Sequence, residues 1–300
     1  MIEVERLNKR YGNRQALKDV SFKAHEGEIL GLLGANGAGK TTTMRIVTGF
    51  MPPTSGIVRV NGTDMREASL TARQQVGYLP EKMPIYPEMT VRDFVLFWAR
   101  LRRVKHAQAR TEAVLKQFDL AHRKHQLVSK LSKGLRQRLG LAQALVHEPR
   151  VIVLDEPTIG IDPMQVIEVR DIIKGLKGAH TVLFSSHILS EVEQICERVV
   201  ILHEGIVVAE GAPQTLSQTL RGKQHFFLDA DKTPLERVQS ALKGFAEVQA
   251  HAKGFTLIIA QTNDPRAELS RRLSQANIPI LELRPQETRL EDVFLKLIKD

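Results

Sequence analysis

Apolar positions along this chain switch repeatedly between a two-residue and a three-to-four-residue period. Residues 1–33 alternate apolar and polar positions in short runs bounded by Gly12, Gly27 and Gly31. That pattern predicts strands and hairpins, closing on the apolar run Ile29-Leu30-Gly31-Leu32-Leu33. A Gly-rich turn follows, then a helix near Lys40–Thr48 that Gly49 and the Pro52-Pro53 pair bring to an end. Residues 56–60 and 75–79 read as strands again. From about Val91 to Leu145 the period turns helical, with Val91, Phe94, Val95 and Trp98 falling on one face. Val151–Leu154, Thr181–Phe184 and Val199–Leu202 are unbroken or nearly unbroken apolar runs, the pattern of strands covered on both faces. Strands alternating with helices predict an α/β fold, a parallel sheet between helical layers.

The character changes after Gly211-Ala212-Pro213. Residues 225–229, 246–251, 255–260 and 279–284 read as strands, and 234–243, 265–276 and 288–298 as helices. That order suits a small α/β module of the split βαβ type. The expected organisation is a large domain over 1–220, with a helical region near 83–145, and an accessory domain over 221–300.

Composition adds little until the charge is located. The chain has 300 residues, 42% of them apolar and 26% charged, enough for one large core and a small one. No run of about 18 apolar residues occurs, so no membrane span is predicted. The start, Ile2-Glu3-Val4-Glu5, is strand-like and lacks the layout of a signal peptide. Cys196 is the one cysteine and is expected to pack in an amphipathic helix of a protein kept in a reducing compartment. The formal charge is +9, and twelve Lys and Arg stand between Arg100 and Arg138 against only Glu112 and Asp119. A solvated helical face accounts for such a run. So does a surface facing anionic lipid headgroups, where each cation contributes about 1 kcal/mol. Nucleic acid is not expected as a partner, because aromatic residues for base stacking make up only 5% of the chain.

The chemistry begins at Gly34, Ala35, Asn36, Gly37, Ala38, Gly39, Lys40, Thr41 and Thr42, which fit G-x-x-x-x-G-K-[ST]. The glycines let backbone N–H groups turn inward around phosphate oxygens, and the following helix points its positive end at them. Lys40 is expected to reach the terminal phosphates and the Thr41 hydroxyl to ligate Mg²⁺. Val151-Ile152-Val153-Leu154-Asp155-Glu156-Pro157 supplies the partner: a buried strand that ends in two carboxylates. Asp155 is placed to hold Mg²⁺ through water, and Glu156 to act as general base on the attacking water.

With these residues in view, the chain resembles the nucleotide-binding subunit of an ABC transporter, a P-loop NTPase of the ABC type. Further motifs appear in family order over residues 1–211. Tyr11, in Lys9-Arg10-Tyr11-Gly12, matches the aromatic that stacks on adenine. Leu131-Ser132-Lys133-Gly134-Leu135 resembles the signature usually written LSGGQ, and Thr158–Pro163, with Asp162, the loop that crosses between subunits. His187 matches the switch histidine that touches the γ-phosphate. The resemblance implies that Ser132, Lys133, Gly134 and Asp162 act on ATP held by a second copy, so that ATP joins a homodimer or heterodimer. Three departures stand out: Lys133 and Leu135 replace the usual Gly and Gln, and Glu81 occupies the position of a Gln that faces Mg²⁺. These variants resemble the branch paired with type-2 ABC permeases, which mostly exports and includes gliding-motility and copper-enzyme-maturation ATPases. Leu290-Glu291-Asp292-Val293-Phe294 fits it too.

The expected function is therefore an ATPase subunit with ATP and Mg²⁺ as cofactors. It would sit on the cytoplasmic face of the inner membrane and drive an integral-membrane permease docked near residues 83–145. Two rivals weigh less. A soluble ABC ATPase of translation or repair would carry a second nucleotide domain or long coiled coils. A P-loop kinase or GTPase would carry an acceptor site or a guanine-reading Asp and no LSKG-type helix start.

Overall fold

The computed structural model describes residues 1–67, 70–219, 224–231, 233–251, 254–259 and 264–285. The expected last helix at 288–298, and with it Leu290–Phe294, lies outside them. Contacts divide the chain into two compact units, Met1–Pro213 and Gln214–Asp300.

The first unit runs β1 (Ile2–Tyr11), β2 (Arg14–Ala24), β3 (Ile29–Leu33), α1 (Lys40–Val47), β4 (Ser55–Val60), β5 (Thr63–Asp64), α2 (Leu70–Gln74) and β6 (Val76–Leu79). It continues through α3 (Val91–Leu101), α4 (Ala107–Gln117), α5 (Lys133–Leu145), β7 (Val151–Asp155), α6 (Pro163–Lys174), β8 (Thr181–Ser186), α7 (Leu189–Ile195), β9 (Arg198–His203) and β10 (Ile206–Gly211). Two sheets result. The alternating segments near the N-terminus pair antiparallel in the order β2-β1-β4-β5. The unbroken apolar segments form the second sheet, ordered β10-β9-β3-β8-β7-β6, parallel throughout except for β10 at one edge. All five residues of β3 and of β7 are buried, as strands with cover on both faces must be. Ile2, Val20, Leu30, Met44, Val153 and Leu183 belong to one apolar core that joins the two sheets through α1.

Register places the chemistry. Leu33 pairs with Ser186 and Asp155 with Ser185, so the C-terminal ends of β3, β7 and β8 lie side by side. Ligands of open parallel sheets bind at that edge. The continuous helical pattern expected over 91–145 is broken in fact. Arg103, His106 and Asp119 take left-handed backbone angles (φ 55°, 52° and 55°) that end one helix and precede the next. Thr90 caps α3 by accepting the Asp93 N–H at 3.1 Å. Cys196 follows α7 and is buried with Val192 against Gly31, where burial pushes its thiol pKa up and keeps it unreactive.

The cationic run does not present a uniform face. Arg110 donates to the Leu145 and Val146 carbonyls, Lys124 pairs with Glu112, and Arg138 pairs with Glu168 and Asp119. Arg102 donates to the Arg73 carbonyl at 2.8 Å. These cations tie helices to one another, which leaves fewer of them to meet a partner.

The second unit contains most of α8 (Pro213–Thr219), then β11 (Gln224–Asp229), α9 (Leu235–Ala241), β12 (Glu247–His251), β13 (Gly254–Ile259), α10 (Arg266–Gln275) and β14 (Glu282–Pro285). Its sheet is ordered β12-β13-β11-β14 and every neighbouring pair is antiparallel. Consequently β11 and β12 run in the same direction with β13 between them, the split βαβ connection. Its own core includes Phe226, Leu228, Val238, Leu257, Leu269 and Leu273.

Candidate functional site: a phosphate loop against two carboxylates

The Gly-rich turn between β3 and α1 can close only because Gly39 adopts φ 111°. A side chain there would also collide with Leu17 Cδ2, 2.6 Å from where its Cβ would stand. α1 therefore begins with Lys40, which is almost fully buried, and its Nζ donates to the Gly34 carbonyl at 2.6 Å and the Ala35 carbonyl at 3.3 Å. The same ammonium lies 3.2 Å from Glu156 Oε1, within ion-pair distance but not aligned as a hydrogen bond. Thr41 Oγ1 donates to Asp155 Oδ1 at 3.3 Å.

Asp155 ends β7, and both its oxygens are buried. Oδ1 also accepts the Ser185 hydroxyl at 2.8 Å, while Oδ2 has no hydrogen-bond partner. Burial pushes the Asp155 pKa up; the hydroxyls of Ser185 and Thr41 pull against that, and the nearby carboxylates of Glu156 and Glu81 add to it. A buried carboxylate with one free oxygen beside a threonine hydroxyl is an incomplete hard-oxygen set. It suits Mg²⁺, which keeps waters and phosphate oxygens as its other ligands. Among the described residues no group of three or more His, Cys, Asp and Glu forms a cation site by itself.

Glu156 follows at once, with φ 50°, a left-handed angle that a glutamate rarely adopts. It is held there because its N–H donates to Ser185 Oγ at 2.9 Å. The carboxylate then turns toward Lys40 on one side and His187 on the other. His187 Nδ1 is 2.7 Å from Glu156 Oε2, and since an ionised carboxylate only accepts, Nδ1 carries the proton.

Lys40, Thr41 and Glu156 border a cleft of about 540 Å³, whose lining does not include Asp155 or His187. Its wall includes Tyr11, Ala35, Asn36, Gly37, Gly39–Thr42, Glu81 and Glu156. The Tyr11 side chain is well exposed, and its hydroxyl rests on Met51 Sδ at 3.1 Å, leaving a ring at the mouth of the cleft. A smaller adjoining cavity of about 200 Å³ is shared by Glu81, Asp155, Tyr78 and Arg45, so Glu81 looks onto the same carboxylate that Thr41 touches.

Ser132, Lys133, Gly134 and Asp162 are not brought to this cleft within one chain. Ser132 caps α5 by accepting the Leu135 N–H at 3.3 Å, and Asp162 caps α6 by accepting the Gln165 N–H at 3.0 Å. The two caps are neighbours. The Gln165 side chain lies over Gly134, its Oε1 and Cδ in the space that a Cβ there would take, and the Lys133 ammonium reaches over the turn at Gly160. Three cleft residues carry no motif of their own, Arg14, Ala16 and Arg45, and neither does Ser185 behind the carboxylates. For Ser185 the hint was a polar residue closing an apolar strand just before His187; for the others no local signal exists.

With the geometry in place, comparison with known proteins is informative. Residues 17–159 match the family described as ABC transporter. The uncharacterized ABC transporter ATP-binding protein YdbJ of Bacillus subtilis is 35% identical over 298 residues, 99% of this chain and 94% of that protein. The Nod factor export ATP-binding protein I of Burkholderia lata is 32% identical over 300 residues, 99% and 96% of the two chains. In fold, the chain is similar to the ATP-binding cassette MJ0796, solved as a dimer bound to ADP and Pi. The TM-score is 0.65 at 24% identity, covering 71% of this chain and 98% of that one. A phosphate loop facing paired carboxylates, within full-length similarity of this kind, means that the chain belongs to the ABC transporter ATP-binding proteins and is an ATP-binding, ATP-hydrolysing subunit that powers transport.

Proposed function

We propose that this subunit hydrolyses Mg²⁺-ATP between two copies of the chain, or between this chain and a paralogue, and drives export through a separate permease. The observation that carries the reading is Glu156, its backbone N–H fixed by Ser185 and its carboxylate held between Lys40 and His187 at the wall of the phosphate-loop cleft. Lys40 and the inward amides of Gly37–Thr42 bind the terminal phosphates, and Tyr11 stacks on the base. Thr41 and Asp155 hold the Mg²⁺, with Glu81 beside them, and the ion when bound neutralises phosphate charge. Glu156 takes a proton from the attacking water, and His187, when both ring nitrogens carry a proton, donates from Nε2 to the γ-phosphate while its Nδ1–H orients that base.

Ser132, Lys133, Gly134 and Asp162 supply what one chain lacks. They sit together, away from their own cleft, at the start of two helices whose positive ends suit a phosphate. The dimeric assembly named for the cassette of like fold agrees with that arrangement. Export agrees with the function named for the Burkholderia relative.

No helix among the described residues is long and apolar enough to cross a membrane, and this reading assigns the cargo path to a separate permease. A groove of about 740 Å³ beside α3 is the place for it. Exposed Phe50 and Leu101 and the rings of Tyr78 and Trp98 form an apolar floor, rimmed by Arg73 and Arg103. A peripheral position on the cytoplasmic face of the inner membrane follows from that docking. Purification from detergent extract tests it: a polytopic membrane protein should copurify with the wild type and be lost with Leu101→Glu. Consistent recovery of ribosomes or DNA instead would overturn the transport reading.

A further inference from the structure

Glu191 stands on α7, four residues beyond His187, and belongs to none of the motifs above. It is 6% exposed, yet its carboxylate meets two hydroxyl groups from separate loops. Oε2 accepts from Thr158 Oγ1 at 2.7 Å and from Ser186 Oγ at 2.8 Å. Ser186, its proton committed to Glu191, turns a lone pair to the Ile188 N–H at 2.9 Å and so shapes the turn that carries His187. On the other side, the Ile159 N–H donates to the Glu156 carbonyl at 3.1 Å, closing the turn that presents Thr158. A single buried oxygen therefore joins the turn behind Glu156 to the turn beneath His187.

We infer that Glu191 is a positioning residue for hydrolysis: it locks these two turns together and thereby keeps His187 Nδ1 in contact with Glu156 Oε2. The inference rests on the assignment of Glu156 and His187 to the hydrolytic step. Hydrogen bonds to an ionised acceptor are shorter and stronger than neutral ones, and burial strengthens them further. A buried carboxylate is also a poor choice for stability alone, since well-packed apolar side chains serve as well or better. Its position in the first turn of α7 favours a negative charge, but that preference would be met without binding Thr158 and Ser186. What the acceptor oxygen does here is hold two catalytic turns in register, where a displacement of about 1 Å can cost as much as a hundredfold in rate.

The test uses the full chain, with steady-state ATP hydrolysis followed as phosphate release and folding checked by thermal melting. Glu191→Ala should lower kcat about tenfold and leave KM for ATP within about twofold, because the phosphate-loop contacts are untouched. Glu191→Gln, which keeps an acceptor oxygen of the same reach, should recover most of that loss. Thr158→Val removes one of the two hydroxyls without changing the size of the side chain, and should lower kcat about threefold even if Glu191→Ala folds poorly. In a His187→Ala background, Glu191→Ala should cost less than about twofold more, since two residues acting through one contact are not additive. Losses that multiply across that double variant, a fall in KM and kcat together, or full activity of both Glu191→Ala and Thr158→Val would overturn the inference while leaving the roles of Glu156 and His187 intact. Wild-type turnover of His187→Ala would instead remove the premise, and the inference with it.

Discussion

Around Lys40 the polar side chains are held by partners far away in sequence: Thr41 by Asp155, Asp155 and the Glu156 amide by Ser185, and the Glu156 carboxylate by His187. At Ser132–Gly134 the opposite holds. Ser132 uses its hydroxyl on its own helix, and Gly134 packs under Gln165, next to a segment that is itself a helix cap. The first region is interlocked by its own side chains, as a hydrolytic centre must be if it is to avoid reorganisation during the reaction. The second is a prepared surface with nothing of its own to act on. On the function proposed above, a second chain brings the signature to this cleft.

Breaking the interlocked region should have the largest effect. Glu156→Gln removes the proposed general base and should lower kcat by about a hundredfold or more, while ATP binding persists. Phosphate release measures the first; size-exclusion chromatography with ATP should show a trapped dimer. Turnover at the wild-type rate would remove Glu156 from its role. Lys40→Ala strips the charge-assisted bonds to phosphate and should weaken nucleotide binding about tenfold or more in titration calorimetry. Unchanged affinity would count against that role.

The comparison itself is sharpest in a mixture. Ser132→Ala should leave the nucleotide affinity of a single chain unchanged and lower turnover about tenfold, because it spares the phosphate loop. Mixed with Lys40→Ala, it should recover activity above either variant alone, since each mixed dimer then holds one intact pair of phosphate loop and signature. Absence of recovery would mean that the two regions do not meet between chains. As the Ser132 cap is also lost, the variant should be less stable by about 1 kcal/mol in denaturant unfolding.

The smallest effect concerns how α5 is anchored at its other end. His147, just past that helix, bonds the Val76 carbonyl of β6 through Nε2 at 3.2 Å, and burial, with Arg102 nearby, lowers its pKa from 6.5 to about 4. Between these values the unfolded chain binds a proton that the folded chain refuses, so stability falls as the pH drops from about 6.5 towards 4 and is fully regained above 6.5. The loss near pH 5 should be about 1–2 kcal/mol, and His147→Gln should flatten it. An unchanged pH profile in that variant would show that the signature helix is anchored elsewhere.

Much of the hydrolytic region was legible because its parts are short-range. A phosphate loop needs its glycines, Lys40 and Thr41 within a few residues, and a strand buried on both faces announces itself in Val151–Leu154. The helical region was legible only in outline, since the left-handed residues Arg103, His106 and Asp119 that divide it carry no period. Ser185 and Glu191 were not legible as parts of the site. Their partners, Asp155, Glu156 and Thr158, come from a strand and loop about thirty residues earlier, and only the parallel register of β7 with β8 brings them within reach.

Sequence alone supplied what one backbone turn can bring together: a glycine-rich loop with Lys40 and Thr41 over Gly34–Thr42, and a carboxylate pair at the end of a buried strand. Which oxygen of Asp155 stays free, why Glu156 can hold φ 50°, and what faces Ser132 and Gly134 were decided by the tertiary structure. The physical reason is that a hydrogen bond or a close contact is set by distance in space, and folding brings together residues that periodicity along a chain keeps apart.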